Sequence, residues 1–449
     1  MGTDTVQAQP DDEVAERRRE QRGWYFYDWA CSVYSTSVLT VFLGPYLTSV
    51  AKHAADADGF VHPLGIPIRA GSFFAYTVSA SVILSIFVMP MAGAAADRTG
   101  RKKPLLAAAA YLGAAATTGM FFLDGDRYLL GGLLLIVANA SVAVSMVLYN
   151  SYLPQIAPPE ERDAVSSRGW AFGYAAGSLV LVANLILFTA HDTFGVSEST
   201  AVRICLASAG IWWGAFTLVP LKRLRDRPTD STGTGSVHGW RQLAATVRDM
   251  RAKPLTLAFL LAYLVYNDGI QTVISQASVY GSEELGLSQS TLIVAVLLVQ
   301  VLAVGGALGM GRLARTYGAK RTILGSLVAW TVTLGAGYFL PAGAPVWFFV
   351  LAAGIGLVLG GSQALSRSLF SHLVPSGKEA EYFSAYEMSD RGMSWLGPLL
   401  FGLTYQLTGS YRDAIISLVA FFVIGFALLA RVPVRQAVRD AGNPVPDRI

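Results

Sequence analysis

Residues 93–103 read GAAADRTGRKK. An acid and four cations are packed between two runs, one beginning near Ser72 and the other near Pro104, that are each apolar enough to cross a bilayer. Roughly 20 apolar residues span the hydrocarbon core as a helix. Lipid offers backbone groups no partners, so a crossing must be a helix or part of a closed barrel. The flanking runs do not alternate with period two, which selects helices.

The whole chain repeats this pattern. It has 449 residues, 53% hydrophobic and only 14% charged, where a soluble domain carries about a quarter charged residues. Twelve apolar runs are read as spans: 26–50, 72–94, 103–123, 128–152, 168–190, 200–221, 255–278, 289–311, 321–341, 346–367, 385–407 and 412–431. An even count puts both termini on one side. Of the 34 Lys and Arg, 28 fall in segments on that side and five (Lys52, Arg69, Arg127, Arg203, Arg412) on the other, with Arg391 inside a span. The positive-inside rule then predicts that both termini face the cytoplasm. The first 22 residues are polar and lack the apolar core and cleavage site of a removable signal peptide, so the first span is expected to direct insertion.

The expected organisation is a tail (1–23), a six-span bundle (24–221), a linker (222–254), a second six-span bundle (255–431) and a tail (432–449). The linker opens KRLRDRPTDSTGTGS, a flexible composition. Further on, Trp240, Leu243, Val247 and Met250 share one helical face. They form either a helix lying on the membrane surface or a solvated linker helix.

The charge cluster has a counterpart. GRLARTYGAKR (311–321) aligns Gly93 with Gly311, Gly100 with Gly318, and Lys102 and Lys103 with Lys320 and Arg321. LPQIAPPEERDAVSS (153–167) aligns with FSHLVPSGKEAEYFS (370–384), and SSRGW (166–170) resembles SDRGM (389–393). Three matches in one order point to two homologous halves. Gly93 and Gly100 permit close packing and a tight turn. Asp97 is suited to accept from the start of a neighbouring helix, and Arg98, Arg101, Lys102 and Lys103 to anchor to headgroup phosphates. Such contacts can form in one conformer and break in another, which makes the loop a latch. The second copy carries Arg315 in place of the acid, so the first half is expected to dominate gating.

The stretch G-x-x-x-D-R-x-G-R-K-K resembles the loop signature of the major facilitator superfamily. Four further segments, WYFYDWACSVYSTSVLTVFLGPYL (24–47), YNSYLPQIAP (149–158), GGSQALSRSLFSHLVP (360–375) and SAYEMSDRGMSWLGPLLFG (384–402), resemble its vacuole-effluxer branch, which includes a yeast vacuolar amino-acid exporter. Cys31 stands where that branch usually has Asn. The resemblance implies the two-bundle major facilitator fold and transport of small polar solutes, amino acids among them, without enzyme chemistry.

Intramembrane ionisable groups are costly and face a cavity or a partner. Asp28 lies near the terminus-side end of the first span; Asn267 and Asp268 lie in the middle of the seventh, with Gln271 one turn on. These residues are read as lining a cavity, the alternative being a structural cluster between helices. Asn139, Asn150, Asn184 and Gln363 are further candidate solute ligands. Arg168, Arg367, Glu387, Asp390 and Arg391 cluster at the inner ends of spans five, ten and eleven, where they either form a gate of salt bridges between the halves or snorkel to the interface. Glu387 and Arg391 are placed to pair at i,i+4. Glycines at 169, 173, 177 and at 305, 309 are read as helix-packing positions.

No Ser/His/Asp set, phosphate-binding loop or metal-spaced His/Cys set occurs. Cys31 and Cys205 are read as small buried residues. No metal, cofactor or nucleic-acid partner is expected. The expectation is a monomeric secondary transporter of the cytoplasmic membrane, proton-coupled through Asp268 or Asp28 and working by alternating access. A transport-inactive sensor or scaffold of the same fold is the rival reading.

Overall fold

The computed structural model describes residues 10–70, 73–227, 248–391, 396–408 and 410–449. The long helices are α1 (Pro10–Val33), continued through a π-helical turn (Tyr34–Phe42) into α2 (Leu43–His53), then α3 (Phe73–Thr99), α4 (Lys102–Gly119), α5 (Tyr128–Asn150), α6 (Arg162–Thr189) and α7 (Glu198–Arg223). The second series is α8 (Pro254–Val279), α9 (Gln289–Tyr317), α10 (Ala319–Tyr338), α11 (Pro345–Ser371), α12 (Glu379–Arg391), α13 (Leu396–Thr408), α14 (Tyr411–Ser417) and α15 (Val419–Arg431), followed by a short α16 (Val434–Asp440). A two-stranded antiparallel hairpin, Phe60–Val61 with Ile68–Arg69, sits in the connection between α2 and α3.

Among the described residues ten helices are long and apolar enough to cross a membrane. Helix α10 fills the place expected for the ninth span. The eleventh is covered by α12 and α13 on either side of 392–395, which lie outside the described residues. Helix starts follow local chemistry. Ser197, Ser288 and Ser410 each accept from the backbone N–H three residues on, and Pro254 and Pro345 open α8 and α11, where their missing N–H costs nothing.

The buried apolar residues form two cores. One gathers side chains from Trp24 to Leu224, with Ala380; the other runs from Met250 to Val438. The chain is an all-helical membrane protein built as two six-helix bundles. All the segments near the termini meet at one end, here called the terminus side. There Lys103 Nζ donates to the carbonyl of Leu224 (3.0 Å), Lys253 Nζ to that of Asp440 (2.9 Å), Lys320 Nζ to that of Val432 (2.7 Å) and Asn443 Nδ2 to that of Val374 (2.7 Å).

Several details differ from the sequence reading. The first helix starts at Pro10, well before the apolar run, because Gln21 Nε2 donates to the Ile156 carbonyl (3.0 Å) and to Glu161 (2.9 Å), holding the polar segment against its own half. Met250 is buried in the second core rather than turned to a membrane surface; Trp240, Leu243 and Val247 lie outside the described residues. Glycines 169, 173 and 177 do face a helix: an added Cβ would come 2.5 Å from Asp28, 2.4 Å from Ser32 and 2.7 Å from Thr36. Glycines 305 and 309 face open space instead. The close approach belongs to Gly306, where a Cβ would lie 2.2 Å from the Leu357 carbonyl. Spacing alone did not fix the helix rotation.

Candidate functional site

A cavity of about 370 Å³ lies between the two bundles, within the range of small-molecule sites. Both halves contribute polar and apolar groups to its wall. Asp28, Ser32, Thr36 and Asn150 come from the first half and are polar; Val273, Ile274, Leu292, Val299 and Ile355 from the second are apolar, with Gln271, Gln300, Gln363 and Glu387 adding polar groups. The cavity reaches Tyr280 and Gly337, beside Arg412 and Glu284 at the end opposite the termini.

At its other end the cavity meets a buried charge network that crosses between the halves. Arg367 on α11 points both Nη atoms at Asp28 Oδ2 on α1 (3.3 Å each), Nε at Ser166 Oγ (2.9 Å), Nη2 at the Ser166 carbonyl (2.9 Å) and Nη1 at Asn150 Oδ1 (3.3 Å). Asn150 Nδ2 passes the connection on to Glu387 Oε1 (2.8 Å) on α12. Tyr149 donates its hydroxyl to Asp28 Oδ2 (2.6 Å). The guanidinium lies over the rings of Trp24, Trp170 and Tyr149, at 4.8, 5.3 and 5.7 Å. Gly169 makes room for the pair, since a Cβ there would lie 2.5 Å from Asp28 and 3.1 Å from Arg367.

A second layer lies closer to the terminus side. Lys102 Nζ sits 3.5 Å from Asp97 Oδ1 and 3.3 Å from Glu379 Oε2, all three side chains under a tenth exposed. Asp97 Oδ2 accepts from the backbone N–H of Glu381 (3.0 Å) in the first turn of α12, where the helix dipole favours an anion. At Gly93 a Cβ would lie 2.6 Å from the Ala380 carbonyl. Gly100 takes a left-handed φ of 63°, which supports its tight turn. The loop thus joins α3 to the opposite half. Lys102 is spent inside this cluster rather than on headgroup phosphates, and Lys103 holds Leu224. Arg98 Nε turns back to the Ala94 carbonyl (3.2 Å), and Arg101 is exposed. In the second copy no acid stands at the equivalent place; the Arg315 carbonyl accepts from Arg448, and Gly318 abuts Ile449.

The remaining candidates scatter. Asp28, Asn150, Gln271, Gln363, Arg367 and Glu387 line the cavity. Asn139 does not; its Nδ2 donates to Ser81 Oγ (2.7 Å), tying α5 to α3. Asn184 hydrogen-bonds across to the Cys205 carbonyl on α7 at 3.5 Å. Asn267 and Asp268 are buried off the cavity wall. Asp268 Oδ2 accepts from the Gly397 backbone N–H (2.8 Å) at the start of α13, and its Oδ1 has no hydrogen-bond partner among the described residues. Arg168 is exposed beside Tyr25 of its own half. Glu387 reaches Asn150 across the interface, whereas the side chains of Asp390 and Arg391 lie outside the described residues. Cys31 and Cys205 are both buried, Cys31 against the cavity.

Sequence reasoning missed several members of the interface. Arg162 Nη1 donates to the Ser371 carbonyl (2.9 Å) and sits 3.5 Å from His372 Nδ1. His372 lies just beyond α11, outside the membrane-spanning segments. Burial, reinforced by the Arg162 guanidinium, holds its imidazole down at about 3. Tyr174 donates to Gln363 Oε1 (2.8 Å) and Ser166 to the Ala364 carbonyl (2.7 Å). The signal that could have found Arg162 was its place in the aligned 153–167 segment.

Comparison with known proteins agrees with this architecture. The family described as "Vacuole effluxer Atg22 like" matches residues 16–442. The MFS-type transporter YxiO of Bacillus subtilis is 30% identical, over 92% of this chain and 95% of that one. Autophagy-related protein 22-1 of Aspergillus niger is 25% identical over 96% and 91%. Among solved structures, the E. coli fucose:proton symporter FucP superposes with a TM-score of 0.69 at 12% identity, over 93% of this chain and 98% of that one. The proton:xylose symporter XylE gives 0.67 at 14% identity, over 94% and 96%. Two bundles enclosing a cavity, a charged loop joining α3 to the opposite half and a family match over nearly the full length converge: the chain belongs to the Atg22-like vacuole effluxers, a transporter branch of the major facilitator superfamily.

Proposed function

We propose that the chain moves a small polar solute across the cytoplasmic membrane by alternating access, with the central cavity as the carrier site and both termini in the cytoplasm. The observation that carries the reading is the position of the inter-half charges. The Asp28–Arg367 pair and the Asp97–Lys102–Glu379 cluster bind the halves together on the terminus side, while the cavity extends to the other end. A carrier closed on one side has this arrangement, and breaking these contacts would let the halves rock about the cavity. The bundles 24–221 and 255–431 are the moving units. Amino acids are the first solutes to test, on the resemblance to the vacuolar exporter.

Proton coupling belongs to the same reading. Asp268 joins α8 to the start of α13 and keeps one buried oxygen without a hydrogen-bond partner among the described residues; Asp28 sits in the inter-half network. The test is uptake of a labelled amino-acid panel into proteoliposomes at two pH gradients, with wild type and Asp268→Asn. Flux that responds to the gradient in wild type and not in Asp268→Asn assigns the coupling to Asp268. An unchanged gradient response moves it to Asp28, and absence of flux for every solute overturns the transport reading.

A further inference from the structure

Arg367 belongs to the second half, yet nearly everything around its guanidinium belongs to the first. We propose that Trp24, Tyr149, Trp170 and Asp28 form a receptor for the cationic group of the solute, an ammonium or guanidinium, and that Arg367 is a built-in competitor occupying it whenever the terminus side is closed. The proposal rests on the alternating-access reading and assigns a chemical class to its solute.

The receptor is assembled by first-half contacts alone. Trp24 stacks on Tyr149 with centroids 4.4 Å apart, and its Nε1 donates to the Tyr149 carbonyl (2.9 Å). The Tyr149 hydroxyl fixes Asp28 Oδ2 from one side (2.6 Å), and the bare Cα of Gly169 leaves the opposite side open for the guanidinium. Trp170 on α6 supplies a third ring. Ring faces carry partial negative charge and attract cations, most strongly when water is excluded. Three rings and one carboxylate surrounding a single guanidinium position, with Trp24 and Tyr149 stacked on each other and Trp170 against Tyr174 of the same half, form a preorganised cation site.

That site is connected to the cavity, because Asp28, Trp170 and Arg367 all line it. When the halves part on the terminus side, α11 carries Arg367 away. A carboxylate left among aromatic rings without a cation is costly, and a solute cation relieves that cost. Closure brings Arg367 back to Asp28 and expels the solute cation into the cavity, which extends to the opposite end. Loading from the terminus side and release on the other follow from one exchange of cations at a single carboxylate.

The test is equilibrium binding to the purified full chain, by calorimetry, using methylguanidinium and tetramethylammonium chlorides against sodium chloride and sodium acetate at equal ionic strength. Arg367→Ala should bind both organic cations at least tenfold more tightly than wild type. Adding Asp28→Asn or Trp24→Leu to Arg367→Ala should abolish that gain. If Arg367→Ala does not remain monodisperse, Arg367→Gln, which keeps a donor toward Ser166, is read in the same way. No tightening in the folded variant, tightening that survives Asp28→Asn, or preferential binding of acetate overturns the proposal. Flux measured separately on wild type distinguishes the two readings: transport without cation binding by the emptied cage removes this inference and leaves the carrier standing.

Discussion

Replacing Lys102 by Met should tilt the protein away from the conformer with its terminus side closed. Lys102 lies between two carboxylates, 3.5 Å from Asp97 and 3.3 Å from Glu379, and is 3% exposed. Removing one member of a buried charge cluster costs about 3–5 kcal/mol, because the remaining charges are left uncompensated. Asp97 and Lys102 belong to the same half, so part of that cost is present in every conformer. The part specific to closure is the approach of Glu379 to an unshielded Asp97. Taking half of the total gives about 2 kcal/mol, or roughly a thirtyfold shift in the conformer ratio. Ser35 lines the cavity and is exposed, so Ser35→Cys in a Cys31→Ser, Cys205→Ser background reports access from the end opposite the termini. A membrane-impermeant maleimide added on that side of proteoliposomes should label it at least tenfold more slowly once Lys102→Met is introduced. Adding Glu379→Gln should restore most of the rate, since one of the two repelling carboxylates is then neutral. An unchanged or faster rate in Lys102→Met, or failure of Glu379→Gln to restore it, would refute the assignment of the cluster as a closure contact.

Two further outcomes are expected. Gly93→Ala puts a methyl 2.6 Å from the Ala380 backbone carbonyl, where neither helix can yield cheaply, so solute flux should fall at least tenfold while far-ultraviolet circular dichroism and the gel-filtration profile stay unchanged; wild-type flux would show that α3 and α12 need not approach. His372 is held near 3 in the folded chain, against about 6.5 when unfolded. The unfolded state therefore takes up a proton first as pH falls below 6.5, and stability is lost progressively down to about 3, by about 2 kcal/mol at pH 5. His372→Ala should flatten this part of the melting-temperature profile between pH 7 and 5, and an equally steep profile in the variant would rule the histidine out.

The spans and the charged loop at 93–103 were legible because their signals are local. Apolar run length is set by bilayer thickness, and Gly93, Asp97, Gly100 and Lys102 reveal themselves within ten residues, as does their second copy. The partners were not legible in the same way. Arg367 and Asp28 are 339 positions apart, and nothing in either helix states which way its charge turns. The same ambiguity explains Asn139 and Asp268. Each looked like a ligand for solute because it is polar and buried, but a buried polar group is satisfied equally well by a neighbouring helix, and Ser81 and the Gly397 N–H are those neighbours. The choice between Gly305 and Gly306 turns on a rotation of 100° about the helix axis, which a four-residue spacing leaves free.

The π-helical turn at Tyr34–Phe42 divides the first crossing into two differently phased segments. Asp28 lies on the α-helical stretch before it and Thr40 within it, and both line the cavity, so the wall here is not built from a single stripe of 3.6-residue period. The wider winding therefore changes which side chains the first crossing presents to the cavity from those an unbroken helical period would select.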